Sequence, residues 1–278
     1  MYLVDTHQHF WDPAQFSYSW CKSVPPLNRR FGLDDYKQAA EGLNIRKTVF
    51  MECDVDEPHA LEEARHVQRL TATHTFIAGI VASARPESSS FPAQLEALLA
   101  LSRLRGLRRV LHTQPDALAD STLFAENLQR LSQHRLSFDL CVLARQLPVA
   151  VRLVERCSDV SFVLDHCGIP DVKAGALDPW REQMTRLAEF PNVVCKISGL
   201  VAYADPERWT VDDLRPWVEH VVDRFGWERV LWGGDWPVCT LTASLARWVE
   251  ATHELFRGAT LAQRSAFFHR NAERIYRV

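Results

Sequence analysis

The chain has 278 residues, of which 47% are hydrophobic and 24% are charged, as in an ordinary globular protein. The net charge of −3 excludes the basic surface of a nucleic-acid-binding domain, and no apolar stretch approaches the roughly 20 residues that span a bilayer. Seven cysteines without a C-x-x-C pair indicate free thiols, and the first predicted strand begins almost at Met1, so we expect a cytoplasmic protein without a signal peptide.

Eight short apolar segments rich in β-branched residues predict β-strands along the chain. They cover residues 3–6, 47–51, 76–82, 107–111, 137–142, 161–164, 193–197 and 229–232. Helical patterning lies between them at residues 34–42, 58–71, 91–103, 121–133, 147–157, 179–190 and 211–225. Continuous apolar strands that alternate with helices indicate a parallel sheet covered by helices. Eight such units predict a (β/α)₈ TIM barrel, one domain over residues 1–278. A doubly wound sheet is the alternative, but no G-x-G-x-x-G follows any strand.

The first predicted strand leads into two histidines, His7 and His9, with one residue between them. Because successive side chains of a strand point to opposite faces, we expect both imidazoles on one face. Neutral imidazole is the commonest protein ligand for a divalent transition metal ion. An isolated pair of this kind is also typical of two hydrogen-bonded residues at a strand end, so its meaning depends on the other strand ends.

Two predicted loops are longer than simple connections. Residues 10–31 follow strand one and contain Trp11 and Trp20, and residues 168–178 follow strand six. Both follow the C-terminal end of a strand, so in a barrel we expect them over the mouth. Their aromatic side chains either pack the barrel top or contact a substrate.

Catalytic residues of barrel enzymes lie at the C-terminal ends of the strands. The polar residues near the other predicted strand ends are Glu52, Arg108, His112, Asp139, His166, Lys196, Ser198 and Asp235. Because strands one and eight are neighbours in a closed barrel, we expect the two N-terminal histidines, His166 and Asp235 to converge on one point. Three imidazoles and a carboxylate suit zinc or a similar ion, and such a carboxylate can also act as a general base.

Three motifs occur in order: VDTHQHFWD at residues 4–12, LDHCG at residues 164–168 and WGGDWP at residues 232–237. Together they resemble the amidohydrolase superfamily. VCKISGL at residues 194–200 and FGWER at residues 225–229 resemble its sugar-lactonase branch, which includes L-fuconolactonase-like and L-rhamnonolactonase-like enzymes. The resemblance covers essentially the whole chain. It implies a (β/α)₈ barrel and hydrolysis at a carbonyl by activated water.

The resemblance also implies a metal site. Its ligands correspond to His7, His9, His166 and Asp235. The binuclear members hold a bridging lysine or glutamate on strand four, where this chain has only Arg108 and His112. We therefore predict one divalent ion, zinc, and not two. Some lactonase and lyase relatives work with one ion or with none, so the resemblance leaves the need for the metal open.

The predicted function is hydrolysis of a small-molecule sugar lactone to the aldonic acid. Asp235 is assigned as the base that activates water, and His166 and Arg108 are assigned to polarise the carbonyl. The residues predicted to bind the substrate are Glu52, His112, Trp11 and Trp20.

Two other functions stay open at this point. One is metal-dependent, non-oxidative decarboxylation of an aromatic or unsaturated acid on the same barrel. The other is a barrel that only binds a ligand, which the intact set of histidines and Asp235 disfavours. A serine hydrolase is excluded because no G-x-S-x-G occurs.

Overall fold

Eight parallel strands form one sheet in which each strand pairs with the next along the chain. The computed structural model describes all residues, 1–278. The strands are Leu3–Gln8 (β1), Ile45–Met51 (β2), Ile77–Ser83 (β3), Leu104–Val110 (β4), Ser137–Cys141 (β5), Ser161–Leu164 (β6), Val193–Ile197 (β7) and Val230–Trp232 (β8). Each lies on or within three residues of a predicted segment.

The sheet closes between β1 and the end of β8. Asp235 N donates to His7 O at 2.7 Å, His9 N donates to Trp236 O at 2.9 Å, and Thr6 Oγ1 donates to Trp232 O at 2.6 Å. These contacts bring the first and last strands together, which confirms the predicted (β/α)₈ barrel. The same closure places the two N-terminal histidines beside Asp235.

Helices surround the barrel. They are Leu33–Ala39 (α1), Ala60–Leu70 (α2), Phe91–Leu99 (α3), Ala117–Asp120 (α4), Thr122–Gln129 (α5), Leu147–Arg156 (α6), Trp180–Ala188 (α7), Val211–Phe225 (α8), Leu245–Leu255 (α9), Leu261–Ser265 (α10) and Asn271–Tyr276 (α11). None of them is long and apolar enough to cross a membrane. Three further helices, α9 to α11, follow strand eight. The hydroxyls of Ser244 and Thr260 cap α9 and α10, a signal that was present in the sequence.

The lower part of the barrel interior is apolar. Its side chains, here called the apolar layer, are Val4, Val49, Met51, Val81, Val163, Val194 and Leu231, with Ala272 and Tyr276 of α11. The last helix lies at the N-terminal ends of the strands, where Tyr2 Oη donates to Glu273 Oε1 at 2.8 Å. α11 therefore closes the bottom of the barrel.

Two residues beyond the apolar layer on β6 and β7, the interior becomes charged. Val163 is followed on the same face by Asp165, and Val194 by Lys196. This second set, here called the charged layer, consists of Arg108, Asp139, Asp165 and Lys196 with His7, all buried. The helices pack on the outer face of the sheet, where most of the hydrophobic core lies. The fold thus places a buried group of ions directly beneath the barrel mouth.

Candidate active site

Lys196 lies at the centre of the charged layer. Its Nζ is 2.9 Å from Asp139 Oδ2 and 2.8 Å from Asp165 Oδ1. Burial disfavours the ammonium, but the two carboxylates outweigh burial and raise the pKa of Lys196. Burial likewise opposes the charge of Asp165, while Lys196 and His7 hold the pKa of that carboxyl well below its usual range. Lys196 and Asp165 therefore keep each other ionised.

Arg108 is held at the top of β4 by Glu52. Its Nε donates to Glu52 Oε1 and its Nη2 donates to the Glu52 carbonyl, both at 2.6 Å. Its Nη1 lies 3.4 Å from Asp165 Oδ2 and 3.3 Å from His7 Nε2. A carboxylate and a carbonyl on one strand end thus fix the plane of the guanidinium.

Hydrogen-bond partners determine which nitrogen of each N-terminal histidine carries a proton. His9 Nδ1 lies 2.9 Å from the Met51 carbonyl, which can only accept, so Nδ1 donates. Arg108 Nη1, which can only donate, lies 3.3 Å from His7 Nε2, so His7 carries its proton on Nδ1, which lies 3.3 Å from both Asp165 Oδ1 and Lys196 Nζ. Burial lowers the pKa of His7, and that of His9 to about 3, so both rings are neutral. Each therefore keeps a lone pair on Nε2.

Both Nε2 atoms lie close to the Asp235 carboxylate. Asp235 Oδ1 lies 3.7 Å from His7 Nε2, which also accepts from Arg108 Nη1, and 3.6 Å from His9 Nε2, and neither nitrogen carries a proton toward it. Ligands about 2.0–2.2 Å from a zinc ion lie about 3.3–3.6 Å apart in a tetrahedron. The ligand atoms of His7, His166 and Asp235 also lie within 4.8 Å of one another. Facing acceptors at this spacing fit one divalent cation.

The other buried carboxylates near these ligands already have cationic partners: Glu52 contacts Arg108, and Asp139 and Asp165 contact Lys196. Asp235 forms no ion pair with an arginine or a lysine, so its carboxylate is available to a cation. A second set of candidate ligands, Cys141 with Asp165 and His166, is as closely spaced. Its carboxylate already contacts both cations of the layer, so a second ion would have to displace them.

The backbone brings His166 and Asp235 into the site through sharp turns. Both residues have φ of +53°, in the left-handed region that non-glycine residues rarely adopt. Two glycines leave room for the imidazoles. A Cβ at Gly199 would lie 2.4 Å from His166 Nδ1, and a Cβ at Gly233 would lie 2.8 Å from His7 Cβ. The glycines of two sequence motifs are therefore required by side-chain packing at the site.

A cavity of about 300 Å³ opens above the charged layer. It is lined by His9, Trp11, Trp20, Ser23, Val24, Leu27, Cys53, Asp54, Arg108, Val110, His112, Thr113, Cys141, His166, Tyr203, Asp235, Val238 and Leu241. Seven of the nine predicted site residues are in this set, and the other two, His7 and Glu52, lie behind it. The predicted residues are thus brought together at one mouth of the barrel.

The two tryptophans contribute ring surface to the cavity. Trp11 Nε1 donates to the Leu27 carbonyl at 3.3 Å, and Trp20 Nε1 donates to the Cys53 carbonyl at 2.8 Å. Their ring centroids lie 5.3 Å apart, in an edge-to-face arrangement. Since both indole N–H groups already have partners, these residues offer apolar faces and not hydrogen bonds.

The other two predicted substrate-binding residues differ from each other. His112 lines the cavity, with Nδ1 3.2 Å from Cys141 Sγ, and burial lowers its pKa to about 4, so the ring is neutral. Glu52 already accepts hydrogen bonds on both oxygens, from Arg108 and from Asp54 N. Its observed contacts position Arg108, and direct contact of Glu52 with a substrate stays a prediction.

Eleven of the 18 cavity residues are not among the predicted site residues, and Tyr203 and Asp54 are two of them. Tyr203 follows β7 in a 3₁₀ turn, and Asp54 follows β2 by three residues. Each lies in a loop after the polar residue at its strand end. The alternation of side chains along a strand therefore does not predict where these two residues point. The 168–178 loop, expected over the mouth, contributes no residue to the cavity lining.

Comparison with known proteins gives a consistent result. The sequence matches the amidohydrolase family over residues 4–278. An L-fucono-1,5-lactonase of Burkholderia ambifaria is 30% identical, with 100% of this chain and 96% of that protein covered. An L-fucono-1,5-lactonase of Burkholderia multivorans is 31% identical, with 98% of this chain and 95% of that protein covered.

A solved structure also resembles the chain over its whole length. It is an amidohydrolase of Burkholderia multivorans crystallised with bound zinc, 28% identical, with a TM-score of 0.90 and complete coverage of both chains. Its bound zinc agrees with the facing acceptors described above. From the family match, the barrel and the order of its strand-end motifs, this chain belongs to the amidohydrolase family.

Proposed function

We propose that this protein hydrolyses the ring ester of a sugar-acid lactone and releases the aldonic acid, with Asp235 as the base. The observation that carries the proposal is the Asp235 carboxylate. It borders the cavity, its side chain is only 3% exposed, and it accepts no hydrogen bond from the protein. A buried carboxylate without a donor is free to accept a proton from a water molecule held in the cavity.

The surroundings of Asp235 suit a base that must also return its proton. Burial raises the pKa of Asp235 to about 6, so the carboxylate is mostly ionised at neutral pH yet can hold a proton transiently. It takes a proton from the attacking water and later gives it to the ring oxygen that leaves. A pKa close to the working pH favours both transfers.

The carbonyl oxygen gains negative charge as water attacks, and two cavity residues can donate to it. Arg108 carries a permanent charge on a guanidinium that is fixed by Glu52. His166 is neutral because burial lowers its pKa, and its Nδ1 lies 2.9 Å from Ser198 Oγ. When the serine hydroxyl donates to Nδ1, Nε2–H is free to donate to the oxyanion. One such donor is worth about 3–4 kcal/mol in the transition state.

The Nε2 atoms of His7 and His9 and the Asp235 carboxylate would hold a divalent ion if one is bound, and His166 would join them only when its nitrogen facing the ion carries no proton. Such an ion supplies Lewis acidity toward the carbonyl or lowers the pKa of water. The steps assigned to Asp235, Arg108 and His166 use only side chains of the chain itself.

The substrate class follows from the relatives and from the cavity. Two full-length relatives are named for hydrolysis of L-fucono-1,5-lactone. A cavity of about 300 Å³ with two indole faces suits a single sugar ring, whose C–H faces pack on aromatic rings. A sugar-acid lactone therefore agrees with the residues better than a larger ester.

The test is a screen of aldono-1,4-lactones and aldono-1,5-lactones with a pH indicator, because each hydrolysis releases one proton. We expect turnover of at least one of these lactones well above its spontaneous opening. A parallel assay for CO₂ from aromatic and unsaturated acids tests decarboxylation on the same barrel. CO₂ release without lactone opening would replace the proposal, and activity in neither assay would leave a barrel that only binds.

A further inference from the structure

Asp54 is a cavity carboxylate that the proposed mechanism does not use. It lies on the loop after β2, lines the cavity beside Cys53 and Trp20, and is only partly exposed. Its carboxylate has no hydrogen-bond or ion-pair partner in the chain. Glu52, Asp139 and Asp165 each contact a buried cation, and Asp235 is assigned to proton transfer. Asp54 alone among the acidic residues of the site lacks a partner and a role.

The position of Asp54 is held from below by the charged layer. Its backbone N donates to Glu52 Oε2 at 2.7 Å, while Glu52 Oε1 accepts from Arg108. The next residue back anchors Trp20 through the Cys53 carbonyl. Asp54 has φ of +49°, a conformation that costs free energy for a non-glycine residue. The loop is thus fixed to the guanidinium beneath it and to the indole above it.

Such a carboxylate is costly to keep without a partner. Burial, followed by the negative charge of Glu52, raises the pKa of Asp54 to about 6. A desolvated carboxylate is stabilised only when hydrogen-bond donors approach it. The protein supplies none to this side chain, so its donors have to come from water or from a ligand in the cavity.

From these contacts we infer that Asp54 binds a pair of adjacent hydroxyl groups on the ring of the lactone, one to each carboxylate oxygen. A carboxylate is an acceptor only, and two vicinal O–H groups match its two oxygens. The neighbouring indole face would pack on the C–H face of the same ring. Asp54 thereby selects a polyhydroxylated lactone, and this inference rests on the proposed function.

A cationic group is the other donor that a carboxylate can bind, and the charges nearby disfavour it. Arg85, Arg108 and Arg109 are close enough to Asp54 to lower its pKa. The same arginines would repel an ammonium or guanidinium on the substrate. Neutral hydroxyls gain the hydrogen bonds without that repulsion.

The experiment combines a variant with modified substrates. Asp54→Asn keeps the shape and tolerates the left-handed backbone, but replaces one acceptor oxygen with a donor. The substrates are the aldonolactone on which the wild-type enzyme is most active and its monodeoxy analogues. Glu57→Gln is the control, because it removes one negative charge from an exposed side chain of the same loop, outside the cavity.

For Asp54→Asn we expect kcat/KM toward the full lactone to fall about 10- to 100-fold, mainly through KM. Analogues that lack either hydroxyl of the pair should lose a similar factor with the wild-type enzyme and little more with the variant. Glu57→Gln should match the wild type on every substrate.

The outcomes separate the two proposals. An equal loss on the full lactone and on all its deoxy analogues would show that Asp54 has only a structural role, and would overturn this inference alone. An unchanged kcat/KM of Asp54→Asn on the full lactone would also overturn it. Failure of the wild-type enzyme to open any lactone would overturn the proposed function and this inference with it.

Discussion

The apolar layer and the charged layer lie two residues apart along β6 and β7, and they stabilise the protein in opposite ways. In the apolar layer, side chains such as Val163 and Val194 gain free energy simply by leaving water. In the charged layer, Asp165 and Lys196 lose their hydration, and this cost is offset by their ion pairs with each other and with Arg108 and Asp139. Along β6 and β7, one change of residue type thus separates the apolar interior of the barrel from the charged groups beneath the cavity.

This difference determines how each layer tolerates change. An apolar side chain that is shortened leaves a cavity whose cost depends on its size. An ion that is removed leaves its partner buried and uncompensated, which costs more than the lost contact itself. Substitutions in the two layers should therefore differ in how much stability they cost. They should also differ in whether activity is lost together with stability.

The largest effect is expected for Asp235→Asn, at the top of the charged layer. The variant keeps the shape and removes the proton acceptor, so kcat for the lactone should fall about 10²- to 10⁴-fold. Burial raises the pKa of Asp235 from 3.8 to about 6, so its negative charge destabilises the folded state at neutral pH. Loss of the charge should leave the Tm of the metal-free protein unchanged or slightly higher. Steady-state kinetics and thermal unfolding on one preparation measure both.

A purely structural Asp235 predicts the reverse pattern. It would cap the turn before Trp236, and Asp235→Asn would lose about 1 kcal/mol of stability while keeping its turnover. The pH profile is a further control. Below a pH of about 6 the carboxyl of the metal-free enzyme is protonated, so kcat/KM should fall as pH decreases. An active but less stable variant would leave His166 as the remaining candidate base.

The next effect is expected for Lys196→Met, inside the charged layer. The substitution leaves Asp139 and Asp165 facing each other without their common cation. We expect the free energy of unfolding to fall by about 3–5 kcal/mol, with a loss of kcat because His7 and Arg108 also contact Asp165. Denaturant unfolding followed by kinetics on the folded protein gives both values.

The matched control comes from the apolar layer. Leu231→Ala should lower the free energy of unfolding by about 2–5 kcal/mol through the cavity it creates. Its kcat per folded molecule should stay near that of the wild type. Equal losses of kcat in Leu231→Ala and Lys196→Met would contradict the separation of the two layers.

The two layers also differ in how far the sequence predicts them. Apolar periodicity located all eight strands, because parallel strands buried on both faces are hydrophobic along their whole length. The polar residues at the predicted strand ends included the candidate site residues His7, His9, His166 and Asp235. The structure places these side chains in one group. The family and the barrel inferred from those motifs are confirmed. The roles assigned to the individual residues stay predictions.

The sequence did not predict which charged side chains of the charged layer form ion pairs with each other. Which carboxylate Lys196 meets depends on the register of three strands and on the turn at His166, where φ is +53°. Glu52 was expected to contact substrate, yet the nearest cation is Arg108 on β4, two strands away. Loop residues such as Asp54 and Tyr203 carry no strand periodicity, so only tertiary structure shows that they reach the cavity.

Metal content tests the set of ligands around Asp235. Protein purified without chelator should contain at most about one divalent ion per chain, by the count of ligands that face Asp235. Zinc at 100 times its Kd should raise the free energy of unfolding by about 2.7 kcal/mol in the wild type. Asp235→Ala should lose this response, whereas His112→Ala, on the same cavity wall, should keep it. Two tightly bound ions per chain would contradict the prediction of a single ion, which was made because strand four has Arg108 and His112 in place of a bridging lysine or glutamate.

The smallest effect is expected for Tyr276→Phe, where the two layers meet. The ring of Tyr276 belongs to the apolar layer, while its hydroxyl donates to Asp139 Oδ2 at 2.5 Å. Because Lys196 also contacts that oxygen, Asp139 keeps one charged partner in the variant. We expect the free energy of unfolding to fall by about 1–2 kcal/mol, the range for a hydrogen bond to a charged group, with kcat within about twofold of the wild type. Denaturant unfolding and the lactone assay measure the two quantities. A large loss of kcat with little loss of stability would mean that α11 sets the position of Lys196, and the bottom of the barrel would then be part of the catalytic machinery.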